Sequence, residues 1–477
     1  MNKKKINNCE KEFNKRAIKS GVWYIINNLV TKGLGIITIP IFSRVLTQEE
    51  YGIVNNFQSW LSILIVVASL NLYGSIARAK MDYEKEIDDY ISSILILSTI
   101  SVLIFLMCTF LLQHKLTKVM GMDIKLIIYM YLYIIFSNAF EIVQSKYKAY
   151  MEYKNFTIIS FFTAVVSIIT SLILVNLMQE KYFARILGLT LPVMSVGIFM
   201  YYSVLKKSKK YVNFKYWKYA LGFSLPLILH LLAGNVLAQF DRIAIATVSG
   251  FEDVALYGMG YNIATLLSIV LSSFNGAWIP WFYEKMEENK YDEIRKVSNY
   301  YIKAFMFIAI LLLAVAPEVM VIMAPKNYYK SIYVIPPVIL GIFFQFVYTL
   351  YANIEFYYKK TIYVPIGTVL SALINIILNM LLIPRYGYLV AAYTTLIGYL
   401  CLLLFHYLIV KILFETSIYN MKIVSEYIIV FTTITILYLY LYNLVIIRYI
   451  ITILGVTLLV IIYKESIIEI IKKVKKW

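Results

Sequence analysis

The sequence predicts an all-α polytopic membrane protein of about 14 spanning helices. Three observations predict it. Of 477 residues, 61% are apolar or aromatic and only 15% are charged, against roughly 25% charged in a soluble domain. The mean hydropathy is +0.74, more apolar side chain than a soluble core can hide. The apolar runs are about 20 residues long and do not alternate, which excludes an outer-membrane barrel.

The expected spans are 18–43, 52–77, 90–112, 124–148, 156–178, 183–205, 217–248, 254–282, 299–324, 332–357, 362–383, 387–413, 423–446 and 449–468. The breaks at Arg385–Gly387 and Ile446–Arg448 are the shortest, so 12 or 13 helices are the alternatives. Tyr283 to Lys296 reads as a short surface helix.

Charge orders these runs. There are 45 Lys and Arg against 27 Asp and Glu, a net charge of +18. In a soluble chain that excess points to nucleic acid. Between spans it reads as cytoplasmic loop charge, so no nucleic-acid partner is expected. The basic clusters Lys3 to Lys19, Lys206 to Lys218, Lys285 to Lys303 and Lys464 to Lys476 share one side if six, two and six helices separate them. Both termini are then cytoplasmic. The basic N-terminus lacks a short apolar core with a cleavage site, so it reads as the head of the first helix and not as a removed signal.

Taken in order, the spans carry these polar residues. Lys32 lies near the middle of the first, on one face with Asn28 and Gly35. A lysine there is costly and cannot snorkel out. It marks either an anion site in a central cavity or a buried ion pair. Arg78 ends the second span, either meeting an incoming headgroup or anchoring the loop. Ser137, Glu141, Gln144 and Lys148 stripe the fourth. The seventh has His230, Gly234 and Asp241 on one face and Asn235, Gln239 and Arg242 on the next. His230 reads as a hydrogen-bonded interior residue. Asp241 and Arg242 form a local pair or seek separate partners. The tenth carries Gln345, Thr349, Asn353 and Glu355. Ser371, Asn375 and Asn379 on the eleventh read as interhelical glue. Asp241, Glu141 and Glu355 are candidate proton or sodium sites. Pro226 and Pro280 are expected kinks.

A weak repeat links SRVLTQEEYGIV (Ser43–Val54) to SGFEDVALYGMG (Ser249–Gly260), with Tyr-Gly pairs 206 residues apart. Six helices lie between them, so the halves share orientation about an axis along the membrane normal. Residues 1–210 are the expected N-terminal lobe (helices 1–6) and 211–415 the C-terminal lobe (helices 7–12). Residues 416–477 are the C-terminal helix pair (helices 13–14) with a basic tail. The two lobes flank a central cavity.

No GxxxxGK[ST] loop, Ser/His/Asp set or HExxH occurs, so ATP hydrolysis, a catalytic site and a cofactor are not expected. The three cysteines are far apart and suggest no metal site or disulfide framework. Glu49-Glu50 invites comparison with membrane glycosyltransferases, but no large outer loop accompanies it.

The stretch IPIFSRVLTQEEYGIVNNFQSW, then Pro226, QFDRIAIATVSGFEDVALYGMGYNIATLLSIV and NGAWIPWFYEK resemble bacterial polysaccharide-biosynthesis flippases, the Wzx-like oligosaccharide flippase family. The resemblance implies the multidrug/oligosaccharidyl-lipid/polysaccharide exporter superfamily and alternating access in the bacterial cytoplasmic (inner) membrane. It implies an undecaprenyl-pyrophosphate-linked oligosaccharide as substrate, moved from inner to outer leaflet of the lipid bilayer. Polysaccharide polymerase and glycosyltransferases are the implied protein partners. Lys32, Arg242, Asp241 and Arg78 would line the substrate path. Lys32 sits roughly where lipid II flippases, distant relatives, carry a cavity arginine. Their arginines in the second and eighth helices have no counterpart here, which favours a surface-polysaccharide unit. The alternatives are a cation-coupled small-molecule or drug exporter of the same architecture and a membrane enzyme of glycan assembly.

Overall fold

The computed structural model describes the backbone of residues 3–414 and 418–462 and side chains within residues 19–455. Among the described residues, 13 helices are long and apolar enough to cross a membrane, and a shorter apolar helix follows. They are α1 (Lys3–Val45), α2 (Gln48–Ala68), α3 (Ile87–Leu111), α4 (Ile124–Ala149), α5 (Tyr153–Leu177), α6 (Lys181–Lys207) and α7 (Phe214–Val248). α8 has two segments, Phe251–Ala264 and Leu266–Glu287. Then come α9 (Tyr291–Met323), α10 (Ile335–Tyr357), α11 (Tyr363–Tyr386), α12 (Leu389–Phe414), α13 (Met421–Leu441) and α14 (Val445–Ile462). The count agrees with the sequence, although the last expected span runs past the described residues.

Local chemistry sets the ends. Thr47 and Glu50 form a reciprocal capping box on α2: the Glu50 N–H donates to Thr47 Oγ1 (3.1 Å) and the Thr47 N–H to Glu50 Oε2 (2.9 Å). This gives the acidic turn a structural job. Asn213 caps α7 through the Lys215 N–H. The tight turn from α11 to α12 is made by Gly387 at φ 73°, which glycine adopts without a Cβ clash.

Three boundaries differ from the sequence reading. The second span ends at Ala68, where Leu70 and Asn71 take left-handed φ values of 57° and 45°. Arg78 therefore belongs to a separate short helix, Ile76–Asp82, and not to the end of a span. Tyr283 to Lys296 is no surface helix. It is the end of α8, a turn with Asn289 at φ 55°, and the start of α9. The expected break at Ile446–Arg448 lies inside α14. Arg448 is fully buried there and ion-pairs Glu318 of α9, so a charge that looked like a loop is tertiary.

In lipid, helices associate through close packing of small residues. A Cβ on Gly188 of α6 would lie 2.3 Å from Ser171 Cα of α5, and one on Gly197 would lie 2.2 Å from the Phe136 carbonyl of α4. These contacts bind the N-terminal lobe. In the C-terminal lobe α7, α11, α12 and α10 pack in turn, and α13 joins through Phe431 on Phe343 (ring centroids 4.6 Å).

Two seams join the lobes. In one, α2 packs on α7 and on the first segment of α8. There the two Tyr-Gly repeats meet. A Cβ on Gly52 would fall 1.8 Å from the Phe251 carbonyl oxygen, and one on Gly258 would fall 2.9 Å from Asn55 Nδ2. In the other seam, the α1 end nearest the α1–α2 turn is tied to α9. Ser43 Oγ donates to the Met323 carbonyl (2.8 Å), and Arg44 donates to those of Val321 and Ile322 (3.3 and 3.0 Å).

Candidate functional site

The polar face of α7 splits in two. Asp241 is fully buried and turns into the C-terminal lobe. Its Oδ1 accepts from Asn379 Nδ2 (2.6 Å) and Asn375 Nδ2 (3.2 Å) of α11. Its Oδ2 accepts from Tyr257 of α8 and Thr395 of α12. One carboxylate thus gathers three helices around α7 and has four neutral donors. The α11 asparagines are the glue expected of them.

Arg242 turns the other way, toward the α2 seam. Its Nη1 donates to Gln239 Oε1 (2.8 Å), and its guanidinium lies over the Tyr261 ring (4.5 Å). Gln239 Oε1 also accepts from Ser59 Oγ of α2 (3.2 Å). Asp241 and Arg242 do not pair with each other. Arg242 is 5% exposed and forms no salt bridge among the described residues, so its positive charge is balanced only by dipoles and ring faces.

Lys32 is exposed, as are Asn28 and Gly35, the residues expected to share its face. A Cβ at Gly33 or Gly35 meets nothing within 4 Å. No salt bridge or hydrogen bond to the Lys32 ammonium occurs among the described residues, so it is not a buried pair holding two helices.

Glu355 of α10 and His406 of α12 are both fully buried, with His406 Nδ1 2.7 Å from Glu355 Oε1. Glu141 is half-buried on α4, with Tyr73, Tyr133 and Lys148 as its electrostatic neighbours. Arg78 is exposed and pairs with Asp82 (3.3 Å). Asp82 also accepts from the Tyr219 hydroxyl of α7 (2.6 Å). That hydrogen bond, and then Arg78, hold the Asp82 carboxyl below the ordinary carboxylate range. The structure therefore does not gather the candidate residues into one cluster. Arg242 faces the seam, Lys32 an open face of α1, and Asp241 and Glu355 the lobe interior.

The model of a family described as polysaccharide biosynthesis protein matches residues 17–286, from within α1 to the end of α8, and includes the neighbours Asp241 and Arg242. The chain belongs to this family. Among its relatives, the Lsg locus protein 1 of Haemophilus influenzae is 27% identical over 372 residues, covering 76% of this chain and 90% of that one. A probable low-salt glycan biosynthesis flippase of Haloferax volcanii, Agl15, is 20% identical over 387 residues, covering 80% of each. The fold is that of a lipid II flippase, MurJ, in an inward closed conformation. The TM-score is 0.64 at 16% identity, with 93% of this chain and 99% of that one aligned. This polysaccharide biosynthesis protein is thus a multi-pass membrane protein with the fold that the Wzx-like resemblance implies.

Besides Arg448, the sequence reading of this family member missed a second buried cation. Arg185 of α6 is 8% exposed. It donates to Ser171 Oγ (2.7 Å) and to Thr38 Oγ1 of α1 (3.5 Å), and it lies 3.6 Å from the centroid of the Phe42 ring. It stands near the start of the expected sixth span and was not singled out among the polar residues of that span. Only its fit against α1 and α5 identifies it as interior.

Proposed function

We propose that this protein is a non-enzymatic flippase for an undecaprenyl-pyrophosphate-linked oligosaccharide. It carries the unit from inner to outer leaflet of the bacterial cytoplasmic membrane by alternating access. The observation that carries this reading is Lys32: an exposed lysine without an ion pair, in the middle of a spanning helix. Such a charge is costly in lipid and finds its balance when an anion arrives. A pyrophosphate and glycan cannot cross hydrocarbon unaided.

The working units are residues 1–210, 211–415 and 416–477, with both termini in the cytoplasm. The α1–α2 turn then lies outside. Lys32 and Arg242 attract the pyrophosphate or acidic sugars. Arg78, on the cytoplasmic side, meets the incoming headgroup. Asp241, Glu141 and Glu355 are the candidates for ion coupling. The weakly joined α1 side of the molecule leaves room for the lipid tail to stay in the bilayer. Glycosyltransferases supply the unit and a polymerase consumes it.

The test is a leaflet assay in proteoliposomes. One lipid-linked oligosaccharide is loaded, and access of its glycan to an impermeant glycosidase is followed. Protein-dependent transfer that falls with Lys32→Ala and Arg242→Ala, at normal membrane abundance, supports the reading. Absence of transfer with folded protein, native glycan and an imposed ion gradient would move the assignment to small-molecule export.

A further inference from the structure

The chain has only three histidines, and two of them, His230 and His406, flank the same stretch of α11 in the C-terminal lobe. His406 and Glu355 share one contact, yet each keeps a second polar atom, Nε2 and Oε2, buried without a partner. The Tyr348 ring stacks on the imidazole at 5.3 Å. On the opposite flank is α11. A Cβ at Gly367 would be 3.1 Å from His406 Nε2, and the next residue, Thr368, has its hydroxyl 3.3 Å from His230 Nδ1. The Gly367–Thr368 peptide therefore lies between the two imidazoles. His230 is half-buried on the face of α7 that also carries Asp241, so the cluster runs from a fully buried dyad to a partly exposed imidazole.

We propose that Glu355, His406 and His230 form a proton-binding cluster, and that the ion coupled to export is the proton. The charge balance of the dyad supports this. With Glu355 ionised and His406 neutral, the pair carries one negative charge buried in a low-dielectric site. One added proton makes it neutral overall, and a second would leave it positive. Burial penalises a net charge of either sign, which is the physical ground for a site that takes up and releases one proton. Around the dyad, the Lys411 ammonium of α12 lies over the Tyr407 ring (5.9 Å), and α13 places Met421 on the Tyr351 hydroxyl. Tyr348 and Tyr351 come from α10 and Tyr407 from α12. Against α10, α8 and α9 place Phe274, Asn275 and Phe305. His230 comes from α7. No Lys or Arg forms an ion pair with the dyad among the described residues. The bound proton leaves from His406 Nε2 or Glu355 Oε2, and His230, the least buried member, exchanges it with water.

The coupling role rests on the export reading above; the proton site does not. The first measurement is a pH-difference infrared titration of the full-length protein in liposomes, which needs no substrate. Wild type should show one carboxyl band that titrates together with an imidazole. Glu355→Gln should remove the band, and His406→Gln should move its midpoint. His230→Gln should slow proton exchange and leave the midpoint in place. The second measurement repeats the leaflet assay under a proton or a sodium gradient. The proton gradient should speed wild-type transfer by about tenfold or more, and this response should vanish in Glu355→Gln and His406→Gln. A wild-type Glu355 carboxyl that keeps one protonation state across the pH range overturns the site. Transfer driven by sodium alone overturns the coupling. An intact titration with no transfer under either gradient refutes the flippase reading and leaves the proton site standing.

Discussion

The two seams between the lobes are built differently. The seam of α2 with α7 and α8 is zipped along its length. Gly52 takes the Phe251 carbonyl, Asn235 Nδ2 donates to the Ser62 carbonyl (3.1 Å), and Ser224 Oγ donates to that of Asn71 in the turn after α2 (3.3 Å); beyond α2, Trp217 Nε1 of α7 donates to the Ser93 carbonyl of α3 (3.0 Å). Among the described residues, the seam of α1 is bonded to α9 near the α1–α2 turn, through Ser43 and Arg44. Farther down α1, Gly33 and Gly35 have nothing within 4 Å of a Cβ, and Lys32 is exposed. The difference separates two uses of polarity in a membrane protein. Along the zipped side, polar groups are buried and partnered, so they hold the architecture. Along the open side, a charge is left without a partner, which is tolerated only where water or a ligand reaches it.

The largest expected effect comes from breaking the buried side. Asp241→Ala would strand four donors from three helices. At about 1–3 kcal/mol per stranded group, and with incomplete additivity, the loss should reach ~3–5 kcal/mol. Chemical unfolding of the purified protein in detergent reads it directly. If the variant unfolds like wild type but no longer exports, Asp241 belongs with the ion-coupling residues and the contrast between the sides fails at this point.

Glycine pairs test the same contrast with one methyl group. Gly52→Ala forces α2 and α8 apart and should cost about 1–3 kcal/mol, as overpacking does. Gly33→Ala meets open space and replaces a poor helix former, so it should be neutral or gain up to about 1 kcal/mol. Thermal melts of the two variants side by side decide this. Equal losses would mean that α1 is packed in solution where it is open here.

Charge removal should have a smaller effect on the fold and a larger one on transport. Lys32→Ala should leave stability within about 0.5 kcal/mol, because nothing pairs with the ammonium. Arg242→Ala should cost roughly 1–2 kcal/mol through the lost bond to Gln239 and the Tyr261 ring. Comparing melts with leaflet transfer for both variants separates binding from architecture. A Lys32 variant that unfolds readily would make Lys32 a structural residue.

Much of this was legible in the sequence, and what was not has a common cause. Hydropathy and charge clusters reveal the spans because the bilayer imposes a length on each. The shared face of Asn28, Lys32 and Gly35 follows from helical period alone, and all three are exposed together. The partners were hidden, since they lie far along the chain. Asp241 meets Asn379 across 138 residues and Thr395 across 154. His406, an unremarked residue in an apolar run, gains meaning only beside Glu355. Arg185 was passed over and Arg448 stood at an expected break, and tertiary contacts enclose both. The break at Leu70–Asn71 was signalled only by Asn71, which tolerates left-handed backbone, and by Gly74 just beyond it, inside an otherwise apolar run.

The smallest expected effect lies at the exposed end of the zipped seam. There Arg78 and the Tyr219 hydroxyl share the Asp82 carboxylate, tying the short helix Ile76–Asp82 to α7. The folded state holds this carboxyl below its ordinary range, mainly through Tyr219. A carboxyl with a depressed folded-state pKa contributes stability above its unfolded value and loses that contribution as pH falls through the folded one. The tie should therefore be intact at neutral pH and weaken in acid below about pH 4. Both partners of the ion pair face water, so salt screens it and its contribution is minor. Hydrogen exchange over residues 76–82 should rise slightly in acid. It should rise more with Tyr219→Phe than with Arg78→Ala, following the order of the two causes. If Arg78→Ala leaves exchange unchanged yet slows export, Arg78 acts on the incoming headgroup instead of the latch. The exposed end of the closed seam would then share the function of the open one.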